Sequence, residues 1–117
     1  MPESKTYRGG CHCGRVRYEA QSDLAQVVDC NCSICMKRGA LWAFVKAPQF
    51  KLVQGETTDY QFGQKKIHHL FCPSCGVGSF SRGLAPNGEE TFAINVHCLD
   101  GVDVTALKPV PFDGKSL

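Results

Sequence analysis

Seven of the eight cysteines in this chain fall into three short groups. They are Cys11-x-Cys13, Cys30-x-Cys32-x-x-Cys35 and Cys72-x-x-Cys75, with Cys98 standing apart. Thiolates at these spacings are metal ligands, and zinc is the metal they suit best. Tetrahedral zinc, with Zn–S near ~2.3 Å, needs ligand sulfurs roughly 4 Å apart. A C-x-x-C turn brings two sulfurs that close, and glycine after Cys13 and after Cys75 permits the tight turn. Spacing alone leaves two pairings open. One joins Cys32/Cys35 to Cys72/Cys75 in the manner of a zinc ribbon and scatters Cys11, Cys13 and Cys30. The other joins Cys11/Cys13 to Cys72/Cys75 as a closed four-thiolate site and keeps the triplet whole. The second is preferred, because the triplet then forms its own ligand shelf with a fourth position open. Closed thiolate sites support folding, whereas open ones leave room for water or substrate.

The elements that hold these groups read as short strands. "RVRYEAQ" (15–21) alternates, with Val16, Tyr18 and Ala20 on one side and charges on the other. Further strands are expected over 26–30, 40–47, 50–55, 59–63, 65–71, 78–83 and 91–96, with "APNGEE" (85–90) as a turn. The only helical stretch expected is one or two turns over Ser33 to Arg38, inside the triplet. The tail "LKPVPFDGKSL" carries two prolines and is expected to wrap the surface without forming an element. The pattern is all-β with little helix: a sandwich, tent or partly open barrel.

The 117 residues fit a single domain, 1–117, with 43% hydrophobic content for a modest core. At this size a metal staple helps, since small domains bury a smaller fraction of their surface. Thirteen basic against eleven acidic side chains give a formal charge of +2. That balance argues against a nucleic-acid binder, which would carry a basic patch. No apolar run is long enough to span a membrane, and the N-terminal residues lack the apolar stretch of a secretory leader. A cytoplasmic setting follows as the expectation, and in a reducing compartment eight cysteines point to metal or redox chemistry.

Taken in order, "GGCHCGRVRY", "CNCSICMKRGA", "HLFCPSCG" and "INVHCLDG" resemble the glutathione-dependent formaldehyde-activating enzyme family, which includes the centromere protein V relatives. The match spans about residues 8 to 103, and the ordered cysteine set is specific where each piece alone is weak. The resemblance implies a β-tent of short antiparallel strands with two zinc ions. Cys11, Cys13, Cys72 and Cys75 would hold a structural zinc. Cys30, Cys32 and Cys35 would hold the second at an open, catalytic position. The implied reaction adds a zinc-bound thiol, glutathione, to formaldehyde or a similar small aldehyde, giving S-(hydroxymethyl)glutathione, a carbon–sulfur lyase reaction in reverse. The chain departs from the family in a compact gap between the triplet and Cys72.

A metal-bound thiol loses its proton and becomes a nucleophile at neutral pH. Glutathione's carboxylates need cationic partners. Lys37 and Arg38, directly after the triplet, are the nearest candidates, with Arg82 and Lys66 behind them. Trp42 and Phe44 alternate on one strand, and core packing is expected for at least one. His12 should point away from the metal its neighbours hold, and His68 and His69 should face opposite sides of a strand. Asp100 is expected to bond locally in its turn. Cys98 reads as a buried small hydrophobe. Two other functions compete. In a scaffold module both metals are structural, and Cys98, His97 or a partner completes the triplet. A methionine sulfoxide reductase-like thiol enzyme would rely on Cys98. The sequence admits a homodimer.

Overall fold

A computed structural model describes residues 4–63, 65, 67–85 and 87–114. The strands are β1 (Lys5–Gly10), β2 (Arg17–Ser22), β3 (Val28–Cys30), β4 (Trp42–Lys46), β5 (Phe50–Gln54), β6 (Thr58–Tyr60), β7 (Ile67–Phe71), β8 (Phe80–Leu84), β9 (Glu90–Asn95) and β10 (Val110–Phe112). One α-helix, α1 (Ser33–Arg38), follows β3. The expected strands and the expected helix are all present, displaced by up to three residues at their ends.

The strands form two open sheets. A three-stranded sheet runs β1-β2-β5, and a seven-stranded sheet runs β10-β3-β4-β9-β8-β7-β6. Pairing is antiparallel throughout, except that β10 lies parallel to β3. The core sits between the sheets. Val16, Tyr18 and Ala20 are all buried, so the alternation of their segment sets the inner face. From the facing sheet, Ala43, Val45, Leu70, Phe80 and Ile94 meet them. Phe50 stacks on Phe92 at 4.1 Å and lies 4.8 Å from Phe80, bridging the two sheets. The buried Tyr18 hydroxyl donates to the Ser79 carbonyl at 3.0 Å, so its polar end is satisfied.

Two elements differ from the sequence reading. β1 was not expected, since its two glycines disfavour a strand. It forms by pairing with β2 along its whole length, from Lys5 opposite Ser22 to Gly10 opposite Arg17, and glycine is needed at its end, where a Cβ on Gly10 would lie 2.0 Å from the Val16 carbonyl oxygen. The tail is not merely wrapped. Val110 N–H donates to the Val27 carbonyl at 2.8 Å, and Asn31 N–H to the Phe112 carbonyl at 3.1 Å. Asn31 Nδ2 adds a bond to Asp113 at 2.9 Å. Pro111 is tolerated because β10 is an edge strand.

Candidate metal centres

The four-cysteine group gathers from two turns far apart in sequence. Cys11 and Cys13 lie in the β1–β2 connection, and Cys72 and Cys75 in the β7–β8 connection. Their sulfurs lie within 4.8 Å of one another. Cys11–Cys13 and Cys13–Cys72 are each 3.6 Å apart, close to the edge of about 3.8 Å that a zinc tetrathiolate requires. Gly14 (φ 83°) and Gly76 (φ 79°) supply the left-handed turns expected after each pair. Backbone N–H groups point at the sulfurs: Val16 to Cys11 at 3.3 Å, and Ser74 to Cys72 at 3.3 Å. Cys72 and Cys11 belong to the core cluster, so the site is continuous with the packed interior.

The protonation preferences fit a cation among these sulfurs. N–H donation from Val77, then from Cys13, holds Cys75 down to about 6. At Cys13 the Arg15 N–H acts downward, but desolvation and the three neighbouring sulfurs outweigh it and push the thiol up to about 11. Repulsion between thiolates keeps the four from ionising together, and a divalent cation removes that obstacle.

The three-cysteine group is local. Cys30 ends β3, Cys32 is the N-cap of α1, and Cys35 sits in its first turn. Their sulfurs also lie within 4.8 Å of one another, and none of the three is buried. Gly39 caps the helix in the left-handed conformation, its N–H bonding to the Cys35 carbonyl. The Trp42 indole donates to Cys35 Sγ at 3.3 Å, and the Cys32 N–H to Cys30 Sγ at 3.5 Å. Burial, then the neighbouring thiols, pushes Cys35 up to about 12, with Trp42 acting downward. Cys32 moves down: desolvation acts upward, but N–H and S–H donors from Cys35, Cys30 and Ile34 outweigh it. The strap after β10 closes one side. A Cβ on Gly114 would lie 2.5 Å from Cys30 Sγ. Among the described residues, no fourth Cys, His or carboxylate joins this group.

The other residues named from sequence divide sharply. Lys37 is exposed, whereas Arg38 folds back, half-buried, against Gly78. Desolvation, opposed by Cys35, lowers the Arg38 pKa. Arg82 faces away from its neighbour Ser81 and lines a concavity of 890 Å³ with Lys65, His68, Leu84 and Glu90, which none of the cysteines lines. Lys66 lies outside the described residues. Trp42 is buried and Phe44 is 56% exposed, although the two, two residues apart on β4, share a face. His12 and His97 are exposed. His69 is buried and His68 faces the other way, bonded to Asp59 at 2.6 Å. Asp100 does not make the local bond expected of it but pairs across the fold with Arg17.

Cys98 stands beside the four-cysteine group, not the triplet. Burial pushes its thiol up to about 11, with Cys11 and Cys75 adding to the effect. It is therefore poorly placed either to complete the triplet or to act as a reactive thiolate. The Trp42 indole bond to sulfur went unrecognised in the sequence. An aromatic seven residues past a ligand carries no sign that its N–H, and not only its ring, is in use.

Two open β-sheets carrying two cysteine clusters able to hold metal, one closed and one short of a ligand, define a small β protein with paired metal centres. The family model for glutathione-dependent formaldehyde-activating enzyme matches residues 6–111. The chain belongs to that family. A crystal structure of a Rhodobacter sphaeroides protein is similar at 34% identity, covering 89% of this chain and 97% of that one, with a TM-score of 0.78.

Proposed function

We propose that the chain is a zinc-dependent carbon–sulfur lyase-type enzyme that joins glutathione to formaldehyde, or to a similar small aldehyde, at the three-cysteine site. The observation carrying this reading is the contrast in ligand number. Four cysteines gather around one point and three around another, and the three are accessible. The sulfur spacings and the N–H donors aimed at sulfur fit one zinc in each cluster. Zinc held by Cys30, Cys32 and Cys35 would supply a Lewis acid that favours the thiolate form of an added thiol.

The chain's own groups do the rest. Trp42 fixes Cys35 through its indole N–H, and the strap at Gly114 fixes Cys30, so the shelf is held before substrate arrives. Arg38 offers a partly desolvated cation for one glutathione carboxylate, and Lys37 a solvated one at the rim. The net reaction forms one S–C bond as the S–H bond and the carbonyl π bond break, and the thiol proton ends on the new hydroxyl. Nothing is oxidised or reduced. The chemistry suits a reducing, cytoplasmic setting and needs neither nucleic acid nor membrane.

The test is carbon-13 exchange spectroscopy of labelled formaldehyde with glutathione, since the two also combine unaided. The wild-type protein should raise the exchange rate in proportion to its concentration. Cys32→Ser should remove that increment while remaining folded. A Cys32→Ser protein that accelerates exchange as well as wild type would overturn the assignment.

A further inference from the structure

The outer face of the seven-stranded sheet carries a hollow of 350 Å³ that none of the cysteines lines. That volume is in the range of small-molecule sites. The strand register shows how the hollow arises. Phe44 of β4 stands opposite Ala93 of β9, and Ala93 stands opposite Ser81 of β8. Gly83, two residues beyond Ser81, stands opposite Ile67 of β7. Residues opposite one another project from the same face of a sheet. This face is the outer one, because Ala43, Ile94, Phe80 and Leu70 alternate with them and take the core side. Small side chains at Ala93, Ser81 and Gly83 therefore make a low floor, with Phe44 at one edge and Ile67 at the other. Leu84 joins the lining where β8 ends. Phe44, Ile67 and Leu84 are all exposed, although the solvent face of an antiparallel sheet is ordinarily polar.

Ser81 lies at the bottom of this hollow. It is 3% exposed, and its Oγ has no hydrogen-bond partner among the described residues. His69, opposite it on β7, does not take the bond, and its ring stacks on Phe62 at 5.2 Å. A buried hydroxyl left unpaired costs free energy, so it marks a place where a ligand atom can complete the set. Arg82 is a charged residue in the lining, but alternation turns its side chain to the other face of β8, that of Phe92 and His68. Nothing on the floor offers a charge to a ligand.

We propose that this slot binds a small neutral aromatic molecule carrying one hydroxyl or carbonyl. The ring lies on the floor of Ala93 and Gly83, against Phe44, and the oxygen bonds to Ser81 Oγ. The serine hydroxyl both donates and accepts, so either kind of oxygen satisfies it. Phe44 and Ile67 stand three strands apart, roughly 14 Å between backbones at about 4.8 Å per strand, which leaves the width of a ring between their side chains. A flat ring suits a low floor, and the Phe44 ring gives it an aromatic contact. A second copy of the chain could cover the exposed walls, but a flat protein surface would not reach the hydroxyl at the bottom. The slot shares no residue with either cysteine group, so the inference stands apart from the proposed reaction.

Nuclear magnetic resonance titration of the purified, metal-loaded full chain tests it with three probes. Phenol carries the ring and the hydroxyl, toluene has the same shape without the oxygen, and benzoate adds a charge. Phenol should shift the amide signals of Ser81, Gly83 and Ala93, with a dissociation constant of about a millimolar. Toluene should bind about fivefold more weakly, and benzoate should not bind at these residues. Ser81→Ala should weaken phenol about fivefold and leave toluene unchanged, so that the two bind alike. Ala93→Leu, which fills the floor from the outer face, should weaken both by about tenfold or more while circular dichroism and metal content stay as in wild type. The site is overturned if phenol leaves these signals unmoved, if Ser81→Ala keeps the preference for phenol, if benzoate binds as tightly as phenol, or if Ala93→Leu binds both probes as wild type does. Sedimentation supplies a separate check. A dimer that Phe44→Glu separates would assign the face to a second copy and overturn the proposal as well. Should Ala93→Leu fail to fold, Ser81→Ala decides the matter, since it removes only an unpaired oxygen.

Discussion

The two cysteine groups use the same atoms for opposite ends. The four-cysteine group joins turns 59 residues apart and includes two core residues, Cys11 and Cys72. The three-cysteine group spans six residues of one strand end and one short helix, and each of its cysteines keeps some exposure. The first is built into the meeting of the two sheets, so whatever it binds cross-links the fold. The second hangs on the fold, held by an indole and a C-terminal strap. On the proposed reading, the set that closes a long loop would serve the fold, and the one that closes only itself would exchange what it holds.

The strongest way to break this contrast is Cys72→Ser. A structural zinc site contributes on the order of 10 kcal/mol, comparable with the whole stability of a small domain. Loss of native circular dichroism and of both metals is expected. Cys32→Ser comes next. It should lower metal content by one ion per chain by elemental analysis while shifting the thermal midpoint only slightly. If Cys32→Ser unfolds and Cys72→Ser does not, the two roles are exchanged.

Two gentler changes act on the triplet alone. Gly114→Val places a side chain where the Cys30 sulfur lies, so the strap or the ligand must shift. Metal affinity at this site should fall by about tenfold in a competition titration, as for other disturbed supports of a ligand, with the four-cysteine site unaffected. Trp42→Phe removes one N–H bond to Cys35 Sγ while keeping most of the packing. A loss of about 1 kcal/mol, roughly fivefold in affinity, is expected. An equal loss at both sites in either variant would show that the two are not independent.

The pairing of the cysteines was legible because one arrangement used all seven grouped residues and the other stranded three. The inner face of β2 was legible for a similar reason: strict alternation admits one register against the core. The helix showed itself through the triplet it carries. The strap did not, because Val110, Pro111 and Phe112 are exposed and find β3 only through backbone bonds to residues some 80 positions earlier. Ser81 gave no signal either. A serine on a strand reads as surface, and what makes it notable is that it is buried with no partner for its hydroxyl among the described residues. Arg38 and Lys37 looked alike in sequence and part company only because one folds onto Gly78.

Metal content measured with the fold, before and after a mild chelator at neutral pH, tests the central contrast most directly. Two metal ions per chain as purified, falling to one with circular dichroism unchanged, is the expected result. Two ions leaving together as the protein unfolds, or two that resist the chelator equally, would contradict the division into a closed and an open centre.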